Sequence, residues 1–150
     1  MIVLDTTVLL YAVGGDHPLR APCADLVEAV RLGELEATTT SQVVQEFAHV
    51  RARRRGDRVE AARLAGSFVR LLAPLLPVSA PALSVGLGLF REHPGLGAFD
   101  CVLAGAALET AATALVSSDR AFSGVPGLRH LLPGGETFAA LVESGRRPRS

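Results

Sequence analysis

The sequence predicts an α/β fold built on a mostly parallel sheet, and three observations carry that prediction. Ile2-Val3-Leu4 is an unbroken run of β-favouring apolar residues, which suits a central strand covered on both faces. Ala114-Leu115-Val116 repeats the design. Each run stops at hydroxyls and an acid, Asp5-Thr6-Thr7 in the first and Ser117-Ser118-Asp119 in the second. Between them helical and strand signals alternate, the order that yields a parallel sheet. Ligands of such sheets bind at the carboxyl ends of the strands, so both acids fall where a site would lie. Taken alone, Asp5 has a plainer reading as the cap of the turn that follows it.

The remaining elements follow from local signals. Thr6 to Val13 begins a helix that Gly14-Gly15 ends. Asp16-His17-Pro18 opens a second helix, about Leu19 to Leu32, with Leu26, Val27 and Val30 on its apolar side and Gly33 as its stop. Leu35 to Thr38 fits a short strand. Thr39 and Gln42 have the spacing of a capping box. The helix they open carries Val43, Phe47 and Val50 on one face. Glu46 lies against that face, where a charge is either at the rim or partnered. This helix ends in Arg51-Ala52-Arg53-Arg54-Arg55, a run that also complements the helix dipole. After Gly56, Asp57 and Glu60 form a second capping box. A helix from Arg58 to Leu72 then places Val59, Ala62, Phe68, Val69 and Leu72 inward, giving an αα-hairpin. Pro74 and Pro77 end it, and Val78 marks a short strand. Ser79 caps a helix running from about Pro81 to Glu92, which Gly86 and Gly88 weaken. Asp100 starts a helix whose body, Cys101 to Leu108, is apolar nearly all round and therefore buried. A carboxylate at that position also suits the free amides of a helix start. A last strand is expected around Arg129 to Leu132, helical character at 136 to 144, and a disordered tail from Arg146 to Ser150.

Composition limits the possibilities. At 150 residues, 49% of them hydrophobic, the chain is long enough for one domain with a real core. No Trp is present, so Ala, Leu and Val must fill the interior. Net charge is zero, and overall charge gives no argument for a nucleic-acid partner. All 15 basic residues are Arg. This reflects either phosphate recognition, which suits the planar guanidinium, or a GC-rich coding sequence. Cys23 and Cys101 have neither zinc-site nor disulfide-framework spacing. The apolar start is too short for a signal peptide, and no apolar run reaches the roughly 20 residues that span a bilayer. A soluble, cytoplasmic protein is expected.

Four carboxylates stand out: Asp5 and Asp119 at strand ends, Glu46 on a helix, and Asp100 at a helix start. If they meet, each pair at about 4 Å costs on the order of 1 kcal/mol in water and about 4 kcal/mol near a protein surface. Hard cations such as Mg²⁺ or Mn²⁺ relieve such repulsion. A site of this kind polarises a phosphate and generates hydroxide, which is the chemistry of phosphodiester hydrolysis.

Order and context together resemble the PIN domain family of metal-dependent ribonucleases, in particular the VapC toxins of toxin–antitoxin pairs. The matching pieces are Val3-Leu4-Asp5-Thr6-Thr7-Val8-Leu9, the Glu46 helix with Val43, Val44 and Phe47, Phe99-Asp100 before an Ala-rich helix, and Leu115 to Phe122. The resemblance covers residues 1–132, and residues 133–150 add a short helix and basic tail, in the same domain or disordered. It implies a three-layer α/β/α sandwich. It also implies that Asp5, Asp100 and Asp119 hold Mg²⁺ or Mn²⁺, with Glu46 as ligand or as the group orienting water, and that Thr7 and Ser117 support them. Single-stranded loops of a structured RNA would be the substrate, arginines near the rim would bind its phosphates, and a homodimer is expected. A small antitoxin would wrap the hairpin at residues 41–72. Many relatives place another acid soon after the last one. Here Arg120, Ala121 and Phe122 follow, which weakens or removes a second metal site. Two other readings compete. One is a haloacid-dehalogenase-like phosphatase built on Asp5, although Thr7 stands where its second Asp belongs and the chain has no Lys. The other is a catalytically inert PIN-like binding module.

Overall fold

A computed structural model describes residues 1–146. Four strands, β1 (Ile2–Leu4), β2 (Ala37–Thr38), β3 (Ala114–Val116) and β4 (His130–Leu131), form one sheet in the order β2-β1-β3-β4, with every pairing parallel. The two runs that announced the fold are therefore its central strands. Every residue of both is buried, as a sheet covered on both faces requires. Seven helices supply the cover: α1 (Thr6–Ala12), α2 (Arg20–Arg31), α3 (Ser41–Arg55), α4 (Arg58–Leu72), α5 (Ala80–Glu92), α6 (Ala98–Glu109) and α7 (Glu136–Arg146). The architecture is the expected α/β/α sandwich.

Register positions the site. Leu4 pairs with Val116, and the Asp5 amide continues the ladder by donating to the Val116 carbonyl at 3.0 Å. Asp5 thus leaves β1 beside Ser117 as it leaves β3. Thr39 behaves differently from its expected role as a cap. It is fully buried, and its hydroxyl donates to the Leu4 carbonyl at 2.6 Å. The cap of α3 is Thr40, whose hydroxyl accepts from the Val43 amide at 3.3 Å. With three threonines in a row, the Thr38 hydroxyl donates to the Leu72 and Pro74 carbonyls, that of Thr39 goes to the sheet, and that of Thr40 goes to the helix. No strand forms at Val78. The chain instead makes a single parallel bridge at Leu76, whose amide donates to the Thr39 carbonyl.

The αα-hairpin is present, joined at Gly56 in the left-handed conformation (φ 68°), which glycine adopts without a Cβ penalty. Only half of the second capping box forms: the Asp57 carboxylate accepts from the Glu60 amide at 2.9 Å. The Glu60 carboxylate turns instead to Arg51, whose guanidinium also donates to the Val13 carbonyl at 3.0 Å. Arg51 is buried, so it ties α1, α3 and α4 together and is not available to phosphates. The inward stripe of α4 is Ala61, Ala65, Phe68 and Leu72, with Phe68 edge-on to Phe47 at 5.1 Å. Val59, Ala62 and Val69 face outward, Val59 being 82% exposed. One seam against α3 has room for only one row of side chains.

Asp16 does not cap α2. The chain turns at His17, whose Nδ1 accepts from the Leu19 amide at 3.1 Å, and the helix begins at Arg20. Helices α5 and α6 approach each other closely at two glycines. A Cβ on Gly105 would lie 2.4 Å from the Ala82 carbonyl oxygen, and one on Gly86 would lie 2.6 Å from the Val102 Cα. Gly86 is thus the residue that lets α5 seat on α6, whereas Gly88 faces open space. Phe138 and Val142 of α7 join the main core. Arg146 is helical and pairs with Glu34 at 3.2 Å. The rest of the expected disordered tail, 147–150, lies outside the described residues. Both cysteines are buried and free. Among the described residues, no helix is long and apolar enough to cross a membrane.

Candidate active site

Asp5 occupies the cap position of α1, yet its side chain makes no capping hydrogen bond. Its Oδ2 accepts instead from Ser117 Oγ at 2.6 Å and from Thr7 Oγ1 at 3.0 Å. These two hydroxyls are themselves fixed. Ser117 Oγ accepts from the Asp119 amide at 3.0 Å, and Thr7 Oγ1 accepts from the Ser118 amide at 3.1 Å. A frame of two hydroxyls and two amides thus locks the ends of β1 and β3 together around Asp5. Burial pushes the Asp5 carboxyl above its ordinary pKa, against the hydrogen bonds from Ser117 and Thr7 that pull it down.

Glu46 reaches the same place from α3, with its Oε2 accepting from Thr6 Oγ1 at 2.6 Å. Asp119 uses Oδ1 to accept from the Ala121 amide at 2.9 Å, opening the 3₁₀ turn at Arg120–Gly124. It therefore fills both the plain role and a place in the cluster. Asp100 lies in the first turn of α6, the setting in which free amides and the dipole favour a charged carboxylate. Its pKa moves the other way, up to about 7, first through burial and then through the charges of Asp5, Glu46 and Asp119. The charges of Asp5, Glu46 and Asp119 thus all act on Asp100, and Thr7 and Ser117 both donate to Asp5.

A hard divalent cation fits this donor set. The converging groups are carboxylate oxygens, with no thiolate or imidazole among them, which is the ligand chemistry of Mg²⁺ and Mn²⁺. Among the described residues, no three His, Cys, Asp or Glu side chains form a ready-made cage.

The sequence reading missed three supports. Thr6, directly after the strand-end acid, is the partner of Glu46. Thr39 holds the last carbonyl of β1. His130 binds the Ser117 carbonyl through Nε2 at 2.8 Å. Because that carbonyl can only accept, Nε2 carries the proton, and Nδ1 faces Ser123 Oγ at 2.7 Å. Adjacent hydroxyls were the available signal for Thr6; nothing local marked His130.

Asp100 makes stability depend on pH. Between its ordinary value of 3.8 and about 7, the folded state holds a proton that the unfolded state has released. Folding is therefore progressively weakened as pH rises through this window, and the loss levels off above about pH 7. The raised Asp5 carboxyl acts in the same direction. In chelator, the urea midpoint is expected to fall from about pH 5 to 8, with a shallower fall in Asp100→Asn. Identical profiles for the two proteins would contradict the coupling.

The sequence and the fold match a known class. Residues 2–128 match the PIN domain family, and the chain belongs to that family. It is similar to Ribonuclease VapC7 of Mycobacterium tuberculosis, strain ATCC 25618 / H37Rv, with 49% identity over 143 residues, 95% of this chain and 98% of the relative. It is also similar to Ribonuclease VapC23 of that species, with 37% identity over 102 residues, 67% of this chain and 78% of the relative. Among solved structures, VapBC2 from Rickettsia felis, bound to a DNA fragment from its promoter, has a chain of the same fold. The TM-score is 0.67 at 20% identity, covering 88% of this chain and 98% of that one.

Proposed function

We propose that the protein is a metal-dependent endoribonuclease and the toxin of a toxin–antitoxin pair. Relatedness to VapC ribonucleases over nearly its whole length supports RNA as the substrate. The observation that carries the chemistry is the frame at the strand ends, where Ser117 and Thr7 both donate to Asp5, Ser117 accepts from the Asp119 amide, and Thr6 holds Glu46. Asp5, Asp100 and Asp119 would hold Mg²⁺ or Mn²⁺. When bound, the ion supplies Lewis acidity toward a phosphate oxygen and lowers the pKa of water. The protein's own groups do the rest. Ser117 and Thr7 fix Asp5 in one rotamer. Thr6 occupies Glu46 Oε2, leaving Oε1 to orient the attacking water and take its proton. Exposed Arg53, Arg54 and Arg55 at the end of α3 are suited to backbone phosphates, giving salt-dependent affinity.

The phosphatase alternative loses ground to the geometry, because Thr7 donates to Asp5 rather than standing as a second acid. An inert module would not need all four carboxylates. The similar solved structure is of a VapBC pair, and the proposal includes a small antitoxin covering the α3–α4 hairpin, where Val59 and Val69 are exposed. An Arg from that partner would pair with the acids. The proposal places the protein in the cytoplasm and leaves room for a homodimer.

A cation that binds only the folded state stabilises it by about 2.7 kcal/mol at a hundredfold excess over Kd. For a chain of this size that raises Tm by about 5–10 °C. Mg²⁺ or Mn²⁺ is expected to produce this shift and to switch on cleavage of single-stranded RNA, and EDTA to reverse both. Asp119→Asn loses most of the response. Release of phosphate from small monoesters with RNA left intact would favour the phosphatase, and a shift without cleavage would favour the inert module.

A further inference from the structure

Beside the acids lies a cleft of about 400 Å³ between α3 and α6, within the size range of pockets that hold small ligands. Glu46 and Asp100 are among its lining residues, so it adjoins the site. Its walls are Val43, Val78, Val102 and Leu103, and Gln42, Gln45 and His49 stand at its rim. Phe99 precedes Asp100 and lines the same cleft, yet it is 78% exposed. A large aromatic ring left in water beside a catalytic acid is not explained by packing. A second groove begins where the first ends: His49 lines both, and the second continues along Ala52 to Arg53 and Arg58. Gln42, Glu46, His49 and Arg53 are spaced four, three and four apart, so they share one face of α3. That face runs from the acids to the arginines over about 10 Å.

We propose that the cleft is a base-binding subsite: a nucleobase flanking the cut phosphodiester stacks on Phe99, its polar edge meets Gln42, Gln45 and His49, and the strand continues over His49 to Arg53 and Arg58. Every base has a face that stacks on an aromatic ring, and the polar rim reads which base is present. Charge places the rest of the strand: the acids repel phosphate unless a cation lies between, whereas Arg53 and Arg58 attract it. This subsite rests on the nuclease reading above, and the experiment separates the two.

A labelled pool of single-stranded RNA with randomised sequence is cut by wild type, Phe99→Ala and Phe99→Trp, and the cut positions are sequenced. Phe99→Ala removes an exposed ring and is expected to fold normally, to lose about 10- to 100-fold in kcat/KM, and to flatten base preference at one position beside the cut. Phe99→Trp restores both. Arg53→Ala combined with Arg58→Ala raises KM for all sequences alike and reduces the salt slope by about 1.4. Unchanged rate and preference in Phe99→Ala would overturn the subsite while leaving the nuclease intact. If wild type cuts no RNA, the nuclease reading fails, and binding of the same pool in EDTA by fluorescence anisotropy decides the cleft. Affinity at least about fivefold weaker in Phe99→Ala supports it, and equal affinity overturns it. Loss of a protein partner by Phe99→Ala, with RNA binding and cleavage untouched, would assign the cleft to that partner and also overturn it.

Discussion

Asp5→Asn is expected to abolish metal-dependent RNA cleavage while making the metal-free protein more stable. The two hydroxyl donors on Oδ2 compel the Asn amide to place its oxygen there. Its NH₂ group then occupies the Oδ1 position. That group donates hydrogen bonds and cannot ligate a cation. Losing an outer-sphere support of a metal typically costs 10–100-fold, and losing a ligand costs more, so activity should fall on the order of 10³-fold. The same change removes a buried charge that repels its neighbours, which should raise stability by about 1–2 kcal/mol and Tm by a few degrees. Tm in EDTA and initial cleavage rates in Mn²⁺ measure the two effects. A lower Tm would show that Asp5 holds the fold rather than the site, and retained cleavage would remove Asp5 from the chemistry.

Gly105→Ala is expected to be the most damaging single-methyl change in the helical shell. The added Cβ would sit 2.4 Å from the Ala82 carbonyl oxygen and 2.9 Å from the Gly86 nitrogen. Both are backbone atoms and cannot rotate away, so α5 must lift off α6. Alanine's helix propensity returns at most about 1 kcal/mol. Overpacking of this kind costs about 1–3 kcal/mol or more, and displacement of two helices places the net loss near 3 kcal/mol. Since α6 carries Asp100, cleavage should fall as well. Gly88→Ala, on α5 with nothing within 4 Å of its added Cβ, provides the control and should gain up to about 1 kcal/mol. Urea midpoints of the two variants should therefore move in opposite directions. A Gly105→Ala midpoint at or above wild type would contradict the close helix contact.

Signals that combine strand pattern with chemistry were legible. Asp5 and Asp119 could be placed because a strand-end acid has one destination in a parallel sheet, and the pairing of Leu4 with Val116 delivers it. Glu46 and Asp100 needed the family likeness, because an acid on a helix has many possible destinations. Details decided by tertiary competition were not legible. Nothing in Thr38-Thr39-Thr40 says which hydroxyl the sheet will claim. The run ending at Arg55 gives no sign that Arg51 turns inward while Arg53, Arg54 and Arg55 stay in water. On α4, Val59 and Val69 have apolar character but lie off the stripe that meets α3. Phe99 was legible as a motif residue, but its exposure appears only once α3 is in place beside it.

The bond between Ser117 and Asp5 joins residues 112 positions apart, and this has a consequence for the order of events during synthesis. A chain leaving the ribosome displays β1 first, then β2 and Glu46, then Asp100, and only after these β3 with Ser117 and Asp119. Until β3 emerges, the edge of β1 that pairs with it carries unpaired backbone N–H and C=O groups, and Asp5 lacks one of its two hydroxyl donors. A chain halted before Ala114 therefore carries Asp5, Glu46 and Asp100 without the partner strand that gathers them. Such distant pairing slows folding and leaves an incomplete chain exposed to misassociation. It also means that the nascent chain lacks Ser117 and Asp119 beside Asp5 until β3 has been made.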